Sequence, residues 1–127
     1  MCLVPVNPEE KIARYIFDNN KIKRSILKVR HTAFMPTAGC LSVFRIYDLS
    51  EDYIWEKGEE LGASRGRPVL AHADVKAQII LDNKLIIDPD NDPPRHANIV
   101  GWPIDDSAAK LKALELADKA TLSLKSE

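Results

Sequence analysis

The sequence predicts a single α+β domain over residues 1–127, with a mainly antiparallel sheet of four or five strands packed by about three helices. Three observations predict it. A chain of 127 residues has material for one core. Short apolar runs with period-two alternation are interspersed with segments that carry their own helix caps. Strand-like and helix-like segments do not alternate regularly, as a βαβ chain would require.

Taken in order, Asn7-Pro8-Glu9-Glu10 reads as a helix start: Asn7 can cap, Pro8 suits the first helical position, and Glu10 stands where a capping box wants an acid. Ile12, Tyr15 and Ile16 follow helical spacing, and Asn19-Asn20 is a stop signal. A strand is expected over about 25–34, with Leu27, Val29, His31 and Ala33 on one face and Ile26, Lys28, Arg30, Thr32 and Phe34 on the other. The turn 35–39 leads to a second strand over 41–47, which suggests an antiparallel hairpin.

Asp48-Leu49-Ser50-Glu51-Asp52 predicts a second helix, with Tyr53, Ile54, Trp55 and Leu61 as its buried stripe and Gly62 as its stop. A third strand is expected over 69–75. Segment 77–81 is apolar and too short to assign. Ile86-Ile87 suggests a small strand, 88–94 a loop, and 95–100 a strand stopped by Gly101-Trp102-Pro103. Asp105-Asp106-Ser107 caps a last helix with Leu111, Ala113, Leu114, Leu116 and Ala117 on its apolar side, and the chain end is expected to fray.

Composition narrows the functional classes. No apolar stretch approaches the ~20 residues of a membrane span. The first eight residues lack the basic start and long apolar centre of a secretory signal. With Cys2 and Cys40 as its two thiols, the chain has no disulfide framework to expect, and the cytoplasm is the expected compartment. The net charge of −1 conceals an asymmetry: residues 1–47 hold eight Lys/Arg against three Asp/Glu, and residues 48–127 hold ten against sixteen. A basic first third suits a polyanion.

The most distinctive local feature is Arg-His occurring twice, at Arg30-His31 and Arg95-His96, in a chain with three histidines. A guanidinium near an imidazole suits holding a phosphate and moving a proton near neutral pH. Strand neighbours face opposite sides, so a site would have to draw on His31, His96 and Arg45 from different strands. Two imidazoles brought together in this way would serve as acid and base on a phosphodiester. His72-Ala73-Asp74 with His31 offers metal-ligand types, but at a spacing that specifies no metal. Asp88-Pro89-Asp90-Asn91-Asp92 has acids at positions 1, 3 and 5 of a calcium loop. Pro93 and Ile99 occupy the places of its glycine and final glutamate, so a rigid connector is expected. Gly62-Ala63-Ser64-Arg65-Gly66 matches a hydrolase elbow in letters only, because a helix precedes it and a strand follows.

Lys21, Lys23, Arg24, Lys28 and Arg30 place five cations in ten residues. Two functions are expected from these features. The first is a small binding or accessory protein acting through residues 21–30 on nucleic acid or a protein partner, with a second copy of the chain as a further candidate. The second is a metal-independent phosphodiesterase, nuclease or nucleotide-processing enzyme, with His31 and His96 as proton-transfer groups and Arg45 and Arg95 holding the anion. Neither requires a cofactor or a metal.

Overall fold

The computed structural model describes residues 4–125. In chain order the strands are Lys11–Ile16 (β1), Ile22–Lys23 (β2), Lys28–Val29 (β3), Leu41–Arg45 (β4), Ala71–Lys76 (β5), Ile86–Pro89 (β6), His96–Val100 (β7) and Thr121–Leu124 (β8). The helices are Glu51–Arg65 (α1), Ala77–Asp82 (α2) and Asp106–Lys119 (α3), and single 3-10 turns cover Asn19–Lys21 and His31–Phe34. Six strands form one antiparallel sheet in the order β6-β7-β4-β1-β5-β8, and β2 and β3 form a separate two-stranded ribbon. The class is therefore α+β with three helices. The main sheet exceeds the expected four or five strands because two segments read otherwise are strands.

The first is β1. Asn7 does organise a turn: its Oδ1 accepts from Glu9 N at 2.8 Å, and Glu10 Oε1 accepts from Asn7 N at 3.2 Å. The capping signal is thus satisfied without a helix. The next six residues pair with β5 along their whole length and with β4 at Ile12 and Ala13. A central strand is covered on both faces, so its sequence is apolar without alternation and imitates a buried helix. The second is β8, which pairs with β5 where fraying was expected. Cys2 lies outside the described residues, and Cys40 is an exposed free thiol.

The expected strand over 25–34 is also different. Only Lys28–Val29 is extended, and His31–Phe34 turns so that Ala33 and Phe34 enter the core. Arg14 holds this turn, donating from Nε to the Ala33 carbonyl and from Nη1 to the Ser42 carbonyl, both at 2.9 Å. Consequently β4 pairs with β1 and β7 rather than with residues 25–34.

The two caps hold as read. Ser50 accepts from Tyr53 N, and Asp105 Oδ2 accepts from Ala108 N at 3.0 Å. Helix α1 runs past Gly62 to a left-handed stop at Gly66. Its glycines let it lie close on the sheet: a Cβ at Gly58 would stand 2.8 Å from Tyr15 Cε1, and one at Gly62 would collide with the Arg67 carbonyl.

Each face of the sheet has its own cover. Ile12, Ile16, Val43, Ala73, Ile87, Ala97, Ile99 and Leu122 point to the side carrying α2, α3 and the His31–Phe34 turn. Fully buried Phe34, Ile80 and Leu116 join them, each contributing about 1.5–3 kcal/mol by leaving water. Ala13, Tyr15 and Phe44 point to the opposite side, beneath Ile54 and Trp55 of α1. Helix α3 buries Ala109, Ala113, Leu116 and Ala117, and leaves Leu111 and Leu114 exposed.

Candidate functional site

Two regions gather the chemistry-bearing side chains, one on each side of the sheet. The first is the hairpin over residues 21–30, anchored under α3. Ile22 pairs with Val29 and Lys23 with Lys28; Arg30 N donates to the Lys21 carbonyl at 2.8 Å, and Leu27 N to the Arg24 carbonyl at 3.3 Å. Ile22 and Val29 are the buried anchors, because they point inward from adjacent strands. Everything else faces out or along the rim. Lys23, Arg24 and Arg30 are exposed, Lys21 and Lys28 are half-buried, and Ile26 and Leu27 at the tip are 62% and 52% exposed.

All five expected cations therefore share one ribbon. Lys28 Nζ donates to the Asp118 carbonyl, and Arg24 Nε to Asn19 Oδ1. Among the described residues none of the five forms an ion pair. Burial, then the nearby Arg14 guanidinium, moves the Lys21 pKa below its ordinary value. His31 sits beside this ribbon, in a groove of about 270 Å³ shared with Ile26, Leu114 and Asp118.

The second region is the polar part of the α1 face. Strand alternation puts Ser42, His96, Asn98, His72 and Asp74 on the side shared by Phe44 and Tyr15. His96 is opposite Phe44 and diagonal to Ser42. Its Nε2 meets Ser42 Oγ at 2.6 Å and its Nδ1 meets Asp90 Oδ1 at 2.7 Å. The loop after β6 is folded back onto His96: the N–H groups of Asp90 and Asn91 donate to the His96 carbonyl, and His96 N donates to Pro93 O. Asp90 also accepts from Asp92 N at 3.2 Å and from Asn98 Nδ2 at 3.3 Å. Partial burial works to raise the Asp90 pKa; the His96 and backbone hydrogen bonds outweigh it and hold the carboxyl below the usual range. An ionised Asp90 can only accept, so Nδ1 is the donor in that contact, and in the neutral ring Nε2 is left to accept from Ser42 Oγ.

His72, two strands beyond Phe44, is arranged differently. Its ring is 0% exposed, packed against Trp55 at 4.8 Å and Tyr15 at 6.4 Å between centroids. Nδ1 meets Asp74 at 2.7 Å and Nε2 meets Glu51 at 3.2 Å. Burial alone would lower its pKa; the two carboxylates outweigh burial and raise it. Tyr15, whose hydroxyl donates to the Ile54 carbonyl at 2.6 Å, is raised by burial first and by Asp74 and Glu51 next.

The structure does not bring together the other expected members of a phosphodiester site. His31 is on the α3 side of the sheet and His96 on the α1 side, so the paired imidazoles needed at one scissile bond are not assembled. Arg45 is buried in a pair with Glu10 at 3.0 Å and donates to the carbonyls of Val4 and Pro5. Arg95 pairs with Asp48 at 3.0 Å and donates to the Tyr47 carbonyl. The two guanidiniums flank the Tyr47 ring, at 5.2 and 4.3 Å from its centroid. Both are engaged in tying the sheet end together rather than open to an anion. His31 is likewise remote from His72 and Asp74, and no group of three His, Cys, Asp or Glu suited to a metal occurs among the described residues.

The sequence singles out neither Ser42 nor Arg14, and it presents Asp90 only as part of a connector with calcium-loop spacing. Ser42 and His96 are 54 positions apart, so only the β4–β7 register reveals them as neighbours. The available signal was parity: Ser42 and Phe44 share a face, which marked Ser42 as polar within a half-covered strand. Arg14 is buried deeply enough that its pKa is pushed down to about 10, by burial first and Arg65 second. Comparison with family models, curated proteins and solved structures finds no match, so functional inference rests on this geometry.

Proposed function

We propose that the protein is a binding or accessory protein that docks on nucleic acid through the 21–30 hairpin. The observation that carries this reading is the set of cations on that ribbon, none of them ion-paired among the described residues, framing an exposed Ile26-Leu27 tip. Unmatched Lys and Arg gain most from phosphates, because contact releases condensed counterions without first breaking an internal pair. A two-stranded ribbon fits the major groove, and an apolar tip can wedge between base steps. The acid-rich remainder of the chain orients the encounter by repelling the same polyanion elsewhere.

The test is fluorescence anisotropy with a short labelled DNA duplex and a labelled single-stranded RNA. The reading predicts salt-sensitive binding that is lost in the variant Lys23→Glu/Arg24→Glu/Lys28→Glu/Arg30→Glu. Equal retention by wild type and this variant would reject it. One observation favours a second reading: the groove between the hairpin and α3 has Ile26 and Leu114 in its walls. That lining suits a short amphipathic peptide with acidic flanks, which would bind with a weaker salt dependence than nucleic acid.

A further inference from the structure

From the β4–β7 geometry we infer a second, independent activity: Ser42 is a nucleophile for activated acyl groups, with His96 as its base and Asp90 as the positioning residue. The inference rests on which atoms meet. Ser42 Oγ lies 2.6 Å from His96 Nε2, and Asp90 Oδ1 lies 2.7 Å from Nδ1. This is the order in which an imidazole takes a hydroxyl proton at one nitrogen while a carboxylate fixes the tautomer at the other. Asp90 is itself fixed by Asn98 Nδ2 of β7 and by Asp92 N of its own loop, so the base is oriented by a strand and a loop together rather than by one side chain.

His72 is the internal control. It also has an aspartate at Nδ1, but its Nε2 faces Glu51 and its ring is sealed under Trp55. Two carboxylates make both nitrogens donors, which describes a structural imidazolium. His96 has a hydroxyl in the equivalent position and a side chain that is 13% exposed. Arg14 supports the nucleophile from the other side of the strand by holding the Ser42 carbonyl at 2.9 Å.

Asp90 and Asp88 lie on the same side of the patch, Asp88 opposite Asn98, so an anionic substrate is repelled. The class that fits is a neutral or cationic thioester or aryl ester, whose leaving group departs readily. In the first step the Ser42 Oγ–carbon bond forms as the Oγ proton passes to His96 Nε2. Collapse breaks the carbon–sulfur or carbon–oxygen bond, and the leaving group takes that proton as a thiol or phenol. Water then attacks the acyl carbon and gives its proton to Nε2. The Ser42 Oγ–carbon bond breaks, Oγ recovers a proton, and a carboxylic acid is released.

The decisive experiment treats the full chain with a neutral fluorophosphonate and maps the adduct by peptide mass spectrometry. The P–F bond breaks, an Oγ–P bond forms and fluoride leaves. The inference predicts one adduct per chain, on Ser42. It is absent in Ser42→Ala and forms at least about 10²-fold more slowly in His96→Gln. Asp90→Asn slows labelling of the folded chain and Asp90→Glu restores part of the rate, a rescue by the conservative carboxylate at the Nδ1 contact that a merely structural role would not produce. An unmodified wild-type chain, or an adduct anywhere but Ser42, overturns the inference. The wild-type peptide map is decisive whatever the variants' stability.

Discussion

The 21–30 hairpin, with His31 beside it, and the β4–β7 end of the sheet both gather arginine near histidine, yet they treat charge in opposite ways. On the hairpin, Lys23, Arg24 and Arg30 project from a ribbon that provides no carboxylate partner among the described residues. At the sheet end, Arg45, Arg95 and His96 are each held by a carboxylate, from Glu10, Asp48 and Asp90. The difference teaches that the doubled Arg-His text encodes two separate devices. One leaves positive charge available to an outside polyanion. The other uses charge internally, to fix a tautomer and tie loops to strands. A phosphodiesterase would need both on one side of the sheet, and the fold puts them on opposite sides.

The comparison breaks most visibly if the two devices fail together. Ser42→Ala should eliminate fluorophosphonate labelling while nucleic-acid anisotropy stays at the wild-type value. Conversely, the fourfold charge reversal on the hairpin should weaken duplex binding by more than about tenfold near 50 mM salt and leave probe labelling unchanged. Loss of both properties in either variant would show one coupled site instead of two.

A smaller effect sharpens the boundary between them. Gly58→Ala places a Cβ 2.8 Å from the Tyr15 ring and 3.3 Å from Val69 Cγ2, so α1 must lift from its face of the sheet. Denaturant unfolding should show a loss of about 1–3 kcal/mol. The hairpin lies under α3, so its binding should persist at temperatures below the lowered midpoint. A binding loss in still-folded Gly58→Ala would contradict the separation of the two faces.

The smallest expected effect concerns His72. Its folded pKa is raised above the ordinary ~6.5, so the stabilisation is complete below about pH 6.5 and is lost as pH rises through the folded value. Thermal midpoints should therefore decline over that interval in wild type, and the decline should flatten in His72→Gln. A decline of the same size in both proteins would assign it to another group.

Much of this division is legible in the sequence, and the illegible part has physical causes. Ser50 and Asp105 announced α1 and α3 because a capping side chain acts locally, on backbone N–H groups two or three residues away. The five cations were legible as a cluster because the ribbon keeps sequence neighbours together. Segment 11–16 reads as a helix because Asn7 and Glu10 offer the right local bonds; strand partners on both sides override that preference. Segment 25–34 failed for a related reason. Arg14, from another strand, captures the Ala33 carbonyl and favours a turn there. Ser42 and Asp90 were invisible as partners of His96, since β4–β7 pairing and the folded-back loop are non-local.

The central claim is that the hairpin's cations, none of them ion-paired among the described residues, bind phosphate. The most direct measurement is the slope of log association constant against log salt, on duplex DNA, as hairpin cations are removed in turn. The account predicts a slope that becomes shallower by about 0.9 for each contacting cation replaced, with Ser42→Ala tracing the wild-type line. A slope that is identical for wild type and the fourfold variant would contradict it.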